Sequence, residues 1–102
     1  MDLKPGSRWK SAVCTAEAVV VRPPNAGVTL ECGGQAMLGA ADVRAEGLAA
    51  AEGFDGGAAV GKRYADETSG LEVLCSKSGG GAFSADGRLL TIKEAKKLPA
   101  SD

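Results

Sequence analysis

Turn-forming residues divide this chain into short runs, and this division limits the fold more than any other feature. The 102 residues include 15 glycines and 4 prolines. The runs between the turns are rich in β-branched residues or alternate apolar with polar side chains, as half-buried strands do. The pattern predicts one mainly β domain over 1–102, a small antiparallel β-barrel or sandwich of five to seven short strands.

The strand predictions fall into two blocks on either side of a long connection. The loop Pro23–Gly27 is expected to close a hairpin between the second and third strands, and Asp86-Gly87 indicates a tight turn. The two blocks do not read as repeats of each other, although each contains a strand with an inward cysteine. The predicted strands are Arg8–Cys14, Glu17–Arg22, Val28–Cys32, Ala36–Leu38, Leu71–Lys77, Ala82–Ser84 and Leu89–Lys93.

The connection over 39–61 is rich in alanine and glycine. Asp42 is a candidate N-cap for a short helix ending near Ala51, and the rest is predicted to be irregular. Connections of this length are uncommon and are often functional, so 39–61 is a candidate partner-contacting segment. One helical turn is expected over 93–98, and 99–102 is expected to fray.

Composition excludes several classes of function. The chain has no histidine, so it has no Ser-His or Cys-His dyad and no His-ligated metal site of its own. A net charge of −1 and only four aromatic residues argue against a nucleic-acid partner. No apolar leader or membrane-spanning run is present, so no membrane partner is predicted. Three cysteines, an odd number, favour a reducing compartment, and the expected location is cytoplasmic.

The cysteines Cys14, Cys32 and Cys75 admit three interpretations. Cys32 and Cys75 lie on apolar alternating faces, where a thiol packs as a small hydrophobe. The three thiolates are also candidate ligands for Zn(II) or Cu(I), although their spacing has no knuckle motif. Cys14 is the best candidate for an exposed, reactive thiol, because the nearby Lys10 would favour its thiolate.

Other candidate contact residues come from glycine-rich and charged segments. The run 56–62 matches the spacing of a phosphate-binding loop, but Arg63 replaces the Ser or Thr that would hold magnesium. A weaker form of this hypothesis is an anion contact by the loop amides with two basic side chains. Asp66 and Glu67 are expected to be solvated, and Trp9 to be a core anchor. The predicted ligand or partner contacts are Gly33, Gly34, Met37, Lys62 and Arg63.

These observations favour a small non-enzymatic, cytoplasmic binding or accessory module that acts with a protein partner or by self-association. One alternative is a metal-thiolate protein that uses all three cysteines. Another is a thiol-dependent enzyme or redox protein. No organic cofactor is predicted.

Overall fold

The computed structural model describes residues 1–39, 41–43 and 47–93, and within these ranges the chain forms strands and no helix. No helix in the described ranges is long and apolar enough to cross a membrane. The strands are β1 Arg8–Lys10, β2 Glu17–Arg22, β3 Leu30–Cys32, β4 Gln35–Ala36, β5 Leu38–Gly39, β6 Arg63–Asp66, β7 Leu71–Lys77, β8 Phe83–Ala85, β9 Arg88–Leu89 and β10 Thr91–Ile92.

The strands form two antiparallel sheets. The large sheet has the order β10-β6-β7-β2-β1-β5, and the small sheet has the order β4-β3-β8-β9. Every strand pair is antiparallel. The prediction of a mainly β, antiparallel fold is confirmed, and the strands do not close into a barrel.

The strand order shows that the chain contains two halves with the same topology. In each half a hairpin in the large sheet is followed by a hairpin in the small sheet and then by a strand that returns to the large sheet. The first half runs from β1 to β5 and the second from β6 to β10. Exchanging the halves reproduces both strand orders, so the described chain has a pseudo-two-fold arrangement.

The register of the strands agrees with this arrangement. Trp9 lies between β2 and β5, and Tyr64 lies between β7 and β10 in the same way. Gly6 donates to Val20 O at 2.8 Å, and Gly61 donates to Cys75 O at 2.8 Å. Both glycines have positive φ, 82° and 83°. The sequence prediction that the two blocks are not repeats is therefore wrong at the level of structure.

The halves meet at the pairs β2–β7 and β3–β8, and the core lies between the two sheets. Phe83 in the small sheet packs edge-to-face on Tyr64 in the large sheet, with ring centroids 5.2 Å apart. Met37 and Leu90 are each a single buried residue between a strand of the small sheet and a strand of the large one. Trp9 is half-buried against this core, as predicted.

Several local predictions differ from the structure. Glu17–Arg22 and Leu71–Lys77 form as predicted, but the first strand ends at Lys10. The predicted hairpin between the second and third strands is wrong, because residues 23–29 cross from the large sheet to the small one. Pro23 and Pro24 have no N–H for a ladder, and the crossing loop is instead anchored by Asn25 N, which donates to Ser69 O at 2.7 Å.

The segment over 39–61 is mostly exposed where it is described, and backbone contacts at Ala51, Phe54 and Ala58 attach it to the rest of the fold. Asp42 Oδ2 accepts a hydrogen bond from Gly39 N at 2.9 Å. The described residues of the predicted helix, 42–43 and 47–51, are not helical. Residues 44–46, within the predicted helix, lie outside the described residues, as do 94–102 with the predicted helical turn and tail. Strand β6, which follows this segment, was missed because its sequence Arg-Tyr-Ala-Asp has only one large apolar residue.

Asp66, which was expected to be solvated, is buried and paired, and so is Glu72. Asp66 accepts from Arg88 Nη2 at 2.9 Å and from Ser69 Oγ at 2.7 Å, which joins β6 in the large sheet to β9 in the small one. Glu72 accepts from Lys93 Nζ at 2.7 Å. The hydrogen bond from Arg88 is the main cause that holds the pKa of Asp66 below its ordinary value of 3.8.

We expect the folded chain to lose stability as pH falls through the folded pKa of Asp66. Because this pKa is lowered, Asp66 stabilises the fold fully above its unfolded pKa of about 4. This stabilisation is lost as pH falls from there through the folded pKa. Asp66→Asn should lower stability at pH 7 and flatten the decline between pH 5 and pH 3, measured by urea unfolding. The exposed neighbour variant Glu67→Gln is the control. An unchanged decline in Asp66→Asn would contradict the assignment.

Candidate functional site

The candidate site is built by the loop that joins β1 to β2. Ser11 N donates to Ala16 O at 2.9 Å and closes the loop. The Ser11 side chain is fully buried, and its Oγ accepts from Val13 N at 3.0 Å and from Cys14 N at 3.1 Å. A serine that accepts from the amides two and three residues later stabilises a tight turn. This turn presents the half-buried Cys14 beside the small sheet.

Cys14 Sγ lies among hydrogen-bond donors. Ala16 N donates to it at 3.5 Å and Gly81 N at 3.4 Å, and it lies 3.3 Å from Ser11 Oγ. Partial burial raises the pKa of the Cys14 thiol, but the hydrogen bonds outweigh burial and hold the pKa below its ordinary value of 9.0. The predicted reactive thiol is thus stabilised as a thiolate by a hydroxyl and two amides, and Lys10 is not among the causes.

Cys32 lies directly against Cys14, with the two Sγ atoms 3.8 Å apart. It stands at the end of β3 and is fully buried. Burial is the main cause that raises the pKa of Cys32 to about 12, and the nearby Cys14 adds to it. The site therefore holds one thiol that ionises readily and one that stays protonated, in van der Waals contact.

Bare backbone from the β7–β8 connection covers both sulfur atoms. A methyl group added to Gly79 would overlap Ala16 N and lie 2.7 Å from Cys14 Sγ. One added to Gly81 would lie 3.0 Å from Cys32 Sγ. Only glycine allows this close approach, so the thiol pair is enclosed by peptide groups.

The second half contains a corner equivalent to the thiol corner. Ser11 directly follows β1 at the position that corresponds to Asp66, the last residue of β6. Cys14 follows Ser11 by three residues as Ser69 follows Asp66. In the small sheet, Cys32 pairs with Gln35 at the turn end of β3 as Ala85 pairs with Arg88 at the turn end of β8. Ala85 is therefore the counterpart of Cys32. The fold closes the second corner with Asp66, Ser69 and Ala85, so a corner of this kind forms without a thiol.

The third cysteine lies on the centre of the large sheet. Cys75 is buried on β7 opposite Ala18, and its thiol donates to Lys77 O at 3.1 Å. Burial raises its pKa, and the Cys14 thiolate raises it further. In the part of the chain that the structure describes, no group of three or more cysteine, aspartate or glutamate side chains is arranged to hold a metal ion.

The predicted contact residues divide between this corner and other places. Gly33 and Gly34 follow Cys32. The 39–61 connection covers them, since Ala51 N donates to Gly33 O at 2.8 Å. Met37 is buried at its corner between the sheets. Lys62 and Arg63 are exposed beside β7 and contact it through the backbone.

Four of the seven amides in the glycine-rich run 56–62 are paired within the protein. The amides of Ala58, Ala59, Gly61 and Lys62 donate to Gly79 O, Tyr64 OH, Cys75 O and Ala59 O. Donors that are already paired do not add to an anion-binding nest. The anion contact by this loop stays a prediction.

Sequence reasoning identified both cysteines but not the groups that tune them. Ser11 falls within the predicted strand Arg8–Cys14. Gly79 and Gly81 fall in the connection between two predicted strands, which the sequence indicates only as a hinge. A usable signal was the Ser11-x-x-Cys14 spacing, because serine often accepts from amides two or three residues ahead in a turn. Residues 79–81 are far from Cys14 and Cys32 in the sequence, so no local pattern indicates that they are in contact.

Comparisons of the chain with protein-family models, with curated proteins and with solved structures find no match.

The hydrogen bonds to Cys14 predict its reactivity towards iodoacetamide. Because the pKa of Cys14 is lowered and that of Cys32 is about 12, Cys14 should be alkylated first, with a pH midpoint below 9. Ser11→Ala should move the midpoint upward, since it removes a donor to the thiolate. Mass spectrometry of partial reactions identifies the modified residue. Faster alkylation of Cys32 than of Cys14 in the folded chain would contradict this assignment.

The close approach at Gly79 predicts a sharp contrast with its neighbour. Gly79→Ala should destabilise the fold by about 1–3 kcal/mol, because its methyl group overlaps backbone and forces the loop away from Cys14. Gly80→Ala is the matched control, since a methyl group there meets nothing within 4 Å. Urea unfolding measures both. Equal stability of the two variants would show that the loop does not pack as described.

Proposed function

We propose that this chain is a thiol–disulfide redox protein in which Cys14 and Cys32 form a reversible disulfide by exchange with a protein partner. The single observation that carries the proposal is the 3.8 Å contact between a thiolate-stabilised sulfur and a buried thiol. Low-pKa, partly exposed thiols beside a second cysteine are typical of exchange sites. The serine and alanine of the equivalent corner support a role for the thiols beyond packing.

The exchange has two balanced steps. The Cys14 thiolate attacks one sulfur of the partner's disulfide, whose S–S bond breaks and releases one partner thiolate. Cys32 then loses its proton and attacks Cys14 Sγ of the mixed disulfide, which releases the second partner thiolate. Two electrons pass to the partner, which takes up two protons. The two sulfurs of this chain close from 3.8 Å to about 2.0 Å.

This chain offers a partner an apolar groove beside the thiol corner. A groove of about 510 Å³ is lined by residues of β8, β9 and β10 and by the backbone of Gly79, whose other side packs on Cys14. Leu89 and Ile92 line it and are half-exposed, at 50% and 49%. Exposed apolar groups around a groove are typical of protein-binding surfaces. We therefore retain the protein partner and the cytoplasmic location as parts of the proposal, with the dithiol as the resting form.

Equilibration in glutathione buffers of increasing oxidised fraction, followed by maleimide labelling and mass spectrometry, tests the proposal. We expect one intramolecular disulfide, Cys14–Cys32, in the wild type and in Cys75→Ser. The double variant Cys14→Ser/Cys32→Ala copies the equivalent corner, so it should fold with a stability within about 1 kcal/mol of the wild type and form none. Absence of a disulfide in the folded wild type, or a disulfide that includes Cys75, would overturn the proposal.

Metal binding by Cys14, Cys32 and Cys75 stays a separate prediction. Elemental analysis of the reduced protein, expressed in medium supplemented with zinc or copper, tests it directly.

A further inference from the structure

The thiol corner leaves Cys14 only partly exposed between two loops. The β1–β2 loop is held on the β7–β8 connection, since Thr15 Oγ1 donates to Ser78 O at 2.7 Å and Gly81 N donates to Cys14 Sγ at 3.4 Å. Cys14 is partly exposed between these loops, and Cys32 is fully buried behind it. Exchange with a partner disulfide needs three sulfur atoms nearly in line, whereas a peroxide needs room for two oxygen atoms.

We propose that Cys14 also reacts directly with small hydroperoxides and that Cys32 resolves the product. This inference rests on the proposed thiol–disulfide function, because it uses the same pair. It adds an activity that needs no partner for the oxidising step. Cysteines that are oxidised in this way are partly accessible, are stabilised as thiolates and often lie next to a second cysteine.

The chemistry balances without any further oxidant. The Cys14 thiolate attacks the terminal oxygen of the hydroperoxide, so that an S–O bond forms as the O–O bond breaks. The sulfur becomes a sulfenic acid, and the alkoxide or hydroxide leaves and takes a proton from water. Cys32 then attacks Cys14 Sγ, an S–S bond forms as the S–O bond breaks, and the Cys32 proton leaves with the hydroxide as water. Two thiols are oxidised and one peroxide is reduced.

The geometry supplies what both steps require. Ala16 N and Gly81 N donate to Cys14 Sγ and stabilise the attacking thiolate. Ser11 Oγ, which accepts from the thiol at 3.3 Å, can donate its own proton once Cys14 has ionised. Cys32 Sγ at 3.8 Å already touches the sulfur that it must attack, so the second step needs a movement of under about 2 Å. Its burial keeps it protonated until the sulfenic acid has formed, which separates the roles of the two cysteines.

Hydrogen peroxide added to the reduced full-length chain at pH 7, with the sulfenate trap dimedone present, tests this inference. We expect a Cys14–Cys32 disulfide in the wild type and in the control Cys75→Ser, and a dimedone adduct on Cys14 in Cys32→Ser. Oxidation of Cys14 should be faster than in the urea-unfolded chain, because the folded site contains more thiolate. Cys14→Ser should give neither product.

Two outcomes would overturn the inference in distinguishable ways. If glutathione buffers form the Cys14–Cys32 disulfide but peroxide oxidises the folded chain no faster than the unfolded one, the peroxide activity is wrong and the exchange function stands. If neither reagent forms this disulfide, both proposals fail.

Discussion

The antiparallel pairing of β2 with β7 is the contact on which the rest of the structure depends. It joins the two halves at the centre of the large sheet, with Val19 opposite Leu74, and the pairing of Glu31 with Ser84 repeats the junction in the small sheet. Each hairpin alone would be marginal in water. Packing between the two sheets, with Phe83 on Tyr64, buries the apolar face of each sheet.

Because the halves share one topology, the differences between their corners are informative. One corner closes with the buried Asp66 and its ion pair to Arg88, which joins the two sheets. The other closes with Ser11, Cys14 and Cys32, and the two sulfur atoms lie 3.8 Å apart. The first arrangement reads as structural, and the second places reactive groups where the fold already provides a tight turn and donors.

The strand class, the two longest strands and the inward faces of Cys32 and Cys75 were predictable, since alternation and turn residues are local signals. The crossing between the sheets over 23–29 was not predictable, because a loop of two prolines and a glycine suits a sheet crossing as well as a hairpin turn. Burial of Asp66 and Glu72 depends on cations from β9 and from the residue after β10, which no local pattern reveals. The similarity of the halves could not be predicted, because strand pairing depends on backbone hydrogen bonds and few side chains repeat between the halves.

The sequence by itself determined that this protein is mainly β, that histidine chemistry is absent and that Cys14 is the thiol to test first. Only the tertiary structure decided that Cys14 touches Cys32 while Cys75 packs elsewhere, and that Gly81, far along the chain, donates to the Cys14 sulfur. Local spacing specifies turns and faces, but the pKa of a thiol depends on the donors and the burial that distant segments bring to it.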